Sequence, residues 1–163
     1  MKTTVKDIAA IGVAAAILLV CQVAMNFLPN IEVVSLFVVL FTQHFERKTL
    51  WIIYVFVLIE GLIYGFAMWW FVYLYIWTIL YFVTRFLRDM HEPLGWAIVT
   101  GLFGLLFGAL SSIPTLFTMG FYGGIAYFVQ GIIFDLVHCA GNFVIALVLY
   151  RPMDRILGRI LQA

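Results

Sequence analysis

Long runs of apolar residues, each followed by a short polar segment, organise this sequence. Six runs cover residues 5–27, 31–43, 49–63, 69–87, 94–117 and 124–150. They are apolar at odd and even positions alike, which indicates helices, because the strands of a membrane β-barrel alternate polar and apolar residues. A helix needs about 20 residues to cross a bilayer. The pattern therefore predicts an all-α integral membrane protein, with residues 1–163 forming one compact bundle of six transmembrane helices.

Two segments depart from this pattern. The run at 31–43 is short for a span, so we expect it to be tilted into the bundle or incomplete. The tail at 151–163 places Arg151, Arg155 and Arg159 four residues apart. That spacing predicts an amphipathic helix that lies at the inner membrane surface.

Composition supports a membrane environment. Hydrophobic residues make up 66% of the 163 residues and charged residues 10%, against roughly 45–50% and 25% in soluble domains. A soluble domain with so few polar side chains could not cover its own surface, so lipid is the expected solvent.

The placement of the basic residues predicts the orientation. All nine fall in or next to alternate turns: Lys2, Lys6, Arg47, Lys48, Arg85, Arg88, Arg151, Arg155 and Arg159. The intervening turns, near residues 29–30, 64–65 and 119–124, contain neither Lys nor Arg. Because basic residues of short loops stay in the cytoplasm, we expect both termini to be cytoplasmic. Dispersed basic residues form no phosphate-tracking stripe, so nucleic acid is not an expected partner.

Polar side chains inside the apolar runs are the candidates for chemistry. Glu60 lies in an apolar helix, near its outer end. Because a carboxylate at the centre of a membrane helix costs roughly 2.5–3.5 kcal/mol, we expect Glu60 to face protein or water rather than lipid. It is either a ligand-binding group or a structural hydrogen-bond partner. Asp135, His138 and Asn142 share one face of the last helix, and Tyr127 extends it. This face predicts a cavity wall or a network of hydrogen bonds between helices.

Aromatic and small residues suggest further surfaces. Trp69, Tyr73 and Trp77 follow helical spacing, which suits an interfacial belt or, because Glu60 precedes them, the wall of a ligand pocket. Ala10 and Ala14 belong to a small-x-x-x-small pattern that is typical of close contacts in lipid. The glycines at 101, 104 and 108 indicate tight packing inside the bundle.

Several activities lack their motifs. No phosphate-binding loop is present, so we do not expect the chain itself to hydrolyse ATP. Asp135 and His138 form too small a ligand set to predict a metal site. Ser111 and Ser112 lack the setting of a catalytic nucleophile.

The chain resembles the substrate-binding S components of energy-coupling factor (ECF) transporters, the vitamin importers of prokaryotes. The resemblance extends over the whole chain, in size and helix number, and includes Ala10-x-x-x-Ala14. It also rests on the segments 28–32 (LPNIE), 60–66 (EGLIYGF) and 135–142 (DLVHCAGN).

This resemblance implies a function and a mechanism. The chain would be a multi-pass subunit in the plasma membrane that binds a vitamin at the outer face. It would deliver the vitamin through a membrane coupling subunit driven by two ATPases, without enzymatic activity or a resident cofactor. The lids would include Pro29, Asn30, Tyr64 and Gly65, and Ala10 and Ala14 would contact the coupling subunit. The implied pocket residues are Glu60, Trp69, Tyr73, Trp77, Tyr127, Asp135, His138 and Asn142.

The resemblance is closest to S components for corrinoids, so cobalamin is the vitamin that we expect first. Vitamin B6 and queuosine precursors are the alternatives, since they are also ring compounds. Other classes of function are a secondary carrier or channel that acts alone, and a small membrane enzyme that uses Asp135, His138 and Glu60. Reconstitution of the chain alone would separate these classes.

Overall fold

The computed structural model describes residues 4–162, and all of the regular structure within this range is helical. The helices are α1 (Val5–Ala24), α2 (Val34–Phe45), α3 (Thr49–Tyr64), α4 (Met68–Phe86), α5 (Pro93–Ser111) and α6 (Ile113–Gln162), with a 3₁₀ turn at Glu46–Lys48. Lys2 and Ala163 lie outside the described residues. The all-helical prediction is confirmed for the described part of the chain.

Within that part, α1, α5 and α6 have both the length and the apolar composition to cross a membrane. The 19 residues of α4 have the length, but Trp, Tyr and Arg85 lower its mean hydropathy. α3 has 16 residues and α2 has 12. Because three of its described helices are long and apolar enough to cross a bilayer, the chain is a membrane protein.

The shortest α-helix lies at the centre of the bundle. α2 packs against each of the other five α-helices, and eight of its twelve residues are buried, from Val34 to Thr42 with the exception of Phe37. Its position explains why a 12-residue helix can be so apolar: protein rather than lipid surrounds it. The predicted start at residue 31 was three residues early, because Ile31, Glu32 and Val33 belong to the preceding loop.

α5 and α6 form a closely packed pair. A Cβ atom on Gly104 would lie 2.9 Å from the backbone carbon and oxygen of His138, and one on Gly101 would lie 3.3 Å from the carbonyl oxygen of Cys139. Because glycine lacks this atom, the two helix backbones can approach each other. The glycines predicted to pack inside the bundle do so.

The end of α5 differs from the prediction. The predicted helix at 94–117 ends at Ser111, and a new helical segment begins at Ile113. Pro114, which falls inside the predicted helix at 94–117, stands in the first turn of the new segment, where its missing N–H is not needed. Gly120, at φ 71° and ψ −179°, then separates a short arm of α6 (113–119) from a long arm (121–162). Only glycine readily adopts this conformation.

The tail also differs from the prediction. The long arm continues through Tyr150 and Pro152 to residue 162 without a second interruption, so the described part of the tail, 151–162, does not form a separate amphipathic helix. Pro152 removes one hydrogen bond from the helix, and the helix nevertheless continues. The three arginines of the tail are thus carried on the same rigid element as the polar face at 135–142.

Three ion pairs join segments at one end of the bundle. Lys48 Nζ lies 2.5 Å from Asp7 Oδ1, His44 Nε2 lies 2.8 Å from Asp154 Oδ1, and the Arg151 guanidinium lies 3.3 Å from Glu92 Oε2. They bring together the start of α1, the end of α2 with the 3₁₀ turn that follows it, the start of α5 and the last turns of α6. The basic residues of these segments therefore share one end of the molecule.

The small residues of α1 face in two directions. Ala14 is 3% exposed and packs inside the bundle, with Ala10 partly buried beside it. The contact of Ala10 and Ala14 with a coupling subunit stays a prediction, and in this chain helical periodicity points Ala14 toward the core. Gly12 and Ala16 occupy the exposed face of the same helix.

Candidate solute-binding site

A cavity lies under the loop at residues 25–33, at the end of the bundle opposite the ion pairs. Its volume is about 350 Å³. The loop follows the end of α1 at Ala24 and contains Pro29, which cannot continue a helix, and Asn30, at a positive φ of 57°. Helices contribute the remaining walls through Gln22, Tyr73, Trp77, Phe107 and His138. The loop therefore covers a space enclosed by α1, α4, α5 and α6.

A network of buried polar groups forms the floor of this main cavity. Glu32 Oε1 lies 3.2 Å from His138 Nε2, and the Ser35 hydroxyl donates to Glu32 Oε1 at 2.5 Å. The Asn142 side-chain amide donates to Ser35 Oγ at 3.2 Å. The loop, the centre of the bundle and α6 are thus linked through polar contacts. Such contacts favour a single arrangement, because a buried polar group that loses its partner is costly.

Glu32 also stabilises the start of α2. Its Oε2 accepts a hydrogen bond of 2.8 Å from the backbone N–H of Ser35, where a carboxylate is favoured by the helix dipole. Burial raises the pKa of the Glu32 carboxyl, but the hydrogen bond and charge of His138 and the hydrogen bonds from Ser35 outweigh it. The pKa of Glu32 is therefore held below its ordinary value, which favours the carboxylate.

A smaller cavity of about 170 Å³ lies beside the main one. Gln22, Asn26 and Tyr73 border both, and Gln22 Nε2 donates to Tyr73 Oη at 3.3 Å. Its other walls are Glu60, Tyr64 and Trp69. Glu60 is 3% exposed, and its Oε1 has no hydrogen-bond partner among the described residues.

A third cavity, of about 320 Å³, lies between α5 and the outer part of α6. Asn30 and Phe107 border both it and the main cavity. Asp135 and Tyr127 line it, and Asp135 Oδ1 accepts a hydrogen bond of 2.9 Å from the backbone N–H of Gly108. This bond requires a glycine, because a Cβ atom at position 108 would overlap the carboxylate of Asp135.

This chain matches no protein-family model, no curated protein and no solved structure.

The structure distributes the predicted site residues over these three neighbouring cavities. Tyr73, Trp77, His138, Pro29 and Asn30 border the main cavity. Tyr64, Glu60 and Trp69 border the smaller cavity, and Tyr127 and Asp135 border the third. Asn142 lies beneath the main cavity in the polar network, and Gly65 ends α3 at φ 87°.

Sequence reasoning missed several side chains. Gln22 and Asn26 lie one helical turn apart at the end of α1 and its continuation, and this polar pair at the end of an apolar run was a usable signal. Ser35 and Phe107 had no such signal, because their contacts with Asn142 and His138 join positions that are distant in the sequence. No group of three or more His, Cys, Asp or Glu residues within 4–162 is arranged to hold a metal ion.

Proposed function

We propose that this chain is the solute-binding membrane subunit of an ATP-driven importer, similar to the S components of ECF transporters. In this proposal six helices span the plasma membrane of a prokaryotic cell and both termini are cytoplasmic. The observation that carries the proposal is the cavity of about 350 Å³ between the 25–33 loop and the Glu32–His138 pair. A cavity with apolar walls and a few convergent polar groups is the usual form of a small-molecule site.

The distribution of charge supports the orientation. The basic residues within the described part of the chain share the end of the bundle that holds the three ion pairs, and the 25–33 loop lies at the other end. By the positive-inside rule the basic end is cytoplasmic, so the cavity opens toward the outside. A solute-binding subunit of an importer requires a cavity that faces the outside of the cell.

The size of the main cavity favours a small ring compound. Ligand sites usually measure roughly 300–1,000 Å³, and about 350 Å³ is near the lower end. Tyr73, Trp77 and Phe107 offer aromatic surfaces to a flat ring, and Glu32 and His138 offer polar contacts. A ligand of the size of vitamin B6 or a queuosine precursor fits this space better than cobalamin.

Mass spectrometry of the small molecule that co-purifies with the chain tests the ligand. We expect a ring compound that stays bound in detergent and that is lost from the His138→Ala variant. Uptake into vesicles is expected only when a coupling subunit and two ATPases are supplied together with ATP. Uptake by this chain alone, without nucleotide, would identify a secondary carrier, and chemical conversion of the solute would identify an enzyme.

A further inference from the structure

Glu60 is a buried acidic side chain without a visible partner. It is 97% buried, since its exposed fraction is 3%, and it borders the cavity of about 170 Å³. No described residue forms a hydrogen bond with its Oε1. A buried carboxyl group without a partner is costly in either protonation state. The group that satisfies Glu60 therefore has to enter from the cavity.

Aromatic rings form much of the remaining wall. Trp69 and Tyr73 meet edge to face, with ring centroids 5.3 Å apart and planes at 85°. Tyr73 is held in place by the hydrogen bond from Gln22 and by stacking on Phe56, at a centroid distance of 6.4 Å. Tyr64 closes the side near the end of α3. Two rings at right angles beside a carboxylate present electron-rich surface and negative charge to the same small volume.

None of the six described residues that line this cavity is Lys, Arg or His. An anionic group would therefore meet Glu60 without any compensating charge, and a neutral group, even one that donates a hydrogen bond, would leave the negative charge of the carboxylate unpaired. A cation avoids both costs. Ammonium groups bind over the faces of Trp and Tyr through cation–π attraction, and alkylated ammonium groups are commonly held in such aromatic cages.

We propose that the Glu60 cavity binds the alkylated ammonium group of a cationic solute. A volume of about 170 Å³ exceeds the roughly 30 Å³ of one water molecule several times over, so it has room for an ammonium nitrogen that carries several methyl groups. Because this cavity shares Gln22, Asn26 and Tyr73 with the main cavity, the ring of the same solute can occupy the larger space. In this respect the inference rests on the proposed function and defines its substrate class as an organic cation.

Tetramethylammonium chloride, added to the purified full-length chain, is the direct probe. Trp69 borders the cavity, so tryptophan fluorescence should change with saturation in the millimolar range, and sodium chloride at equal ionic strength should not reproduce the change. tert-Butanol, a neutral compound of similar shape, should bind at least about tenfold more weakly, because it lacks the charge that Glu60 and the rings attract. Equal binding of the two compounds to the unchanged chain would by itself overturn the proposal.

Matched variants then assign the site. Glu60→Gln keeps the shape and removes the charge, and should weaken tetramethylammonium binding at least about tenfold. Trp69→Leu should weaken it severalfold. The controls are Glu92→Gln, an exposed carboxylate at the other end of the molecule, and Trp51→Leu, a tryptophan that is 65% exposed on α3; both should bind as the unchanged chain does. Unaltered affinity in Glu60→Gln would also overturn the proposal.

This experiment is independent of transport. If tetramethylammonium binds through Glu60 but no ATP-dependent uptake is found with the coupling proteins, the ammonium site stands and the importer function fails. If uptake is found but the bound solute has no cationic group and Glu60→Gln transports it normally, the importer stands and the ammonium site fails.

Discussion

Asn142 joins α6 to the centre of the bundle through a buried side-chain amide. It is 2% exposed and donates to Ser35 Oγ at 3.2 Å, while its backbone carbonyl accepts a hydrogen bond of 3.2 Å from the Thr100 hydroxyl. Replacement of Asn142 by Ala leaves Ser35 with one partner fewer and opens a small void. We expect the free energy of unfolding to fall by about 1–3 kcal/mol, measured by thermal unfolding in detergent.

Tyr54→Phe is the control for that prediction. It removes the 3.0 Å contact between Tyr54 Oη and Thr78 Oγ1, which lies at the exposed surface, and should change stability by less than about 0.5 kcal/mol. Equal losses in the two variants would mean that the Asn142 network contributes no more than a surface contact.

Glu32 makes stability depend on pH. Its pKa in the folded chain lies below the ordinary value of 4.5, so its contribution is complete above 4.5 and disappears as the pH falls through the lower folded-state value. Glu32→Gln should cost about 1.5–3 kcal/mol at neutral pH, where a charged hydrogen bond is lost. The difference from the unchanged chain should shrink as the pH is lowered below 4.5. Unfolding curves at a series of pH values measure this, and a difference that is constant with pH would contradict it.

The sequence predicts single residues unevenly. The spacing of Asp135, His138 and Asn142 places them on one helical face, and the structure buries all three. Their partners could not be predicted, since Glu32, Ser35 and Gly108 lie on other segments and meet them only when the helices pack. The inward position of Ala14 was missed because a small-residue pattern shows that a face is tight, but does not show whether the tight contact is internal or external.

At the scale of elements, the close packing of α5 against α6 depends on glycines, which have no side chain at the contact. In Gly104→Ala the new methyl group would lie 2.9 Å from the His138 backbone and 3.0 Å from the backbone nitrogen of Cys139, neither of which can move aside easily. We expect a loss of about 1–3 kcal/mol, seen as a lower unfolding temperature. Gly12→Ala is the matched control, because a Cβ atom there has no neighbour within 4 Å. This variant should be neutral or stabilised by up to about 1 kcal/mol through helix propensity, and a loss as large as that of Gly104→Ala would contradict the packing argument.

The six apolar runs predicted the existence of the helices better than their ends. The starts of α1 and α3 agree with the prediction, since a basic or polar segment precedes each. The outer ends near Ser111 and Gly120 do not, because the residues there remain apolar across the break. The break at Gly120 depends on the backbone conformation of this residue, and hydrophobic periodicity cannot predict a backbone conformation.

At the scale of the whole molecule, the proposed topology predicts which positions an impermeant reagent can reach. In a background of Cys21→Ala and Cys139→Ala, Asn30→Cys should react with a membrane-impermeant maleimide in intact cells, because the 25–33 loop faces outward. Arg88→Cys should react only after the cells are permeabilised. Mass shifts of the purified protein measure both reactions, and the reverse pattern would invert the topology and with it the direction of the cavity.

The length of α3 has a consequence for the surrounding lipid. Its 16 residues extend over about 24 Å, which is less than the roughly 30 Å of an average hydrocarbon core. Trp51, Leu58 and Leu62 lie exposed along it and present apolar surface over this shorter distance. In the proposed topology the acyl chains beside α3 must therefore compress to match the helix, as expected for hydrophobic mismatch. Since Glu60 lies one turn from the end of α3, the locally thinner membrane shortens the path between bulk water and its carboxylate.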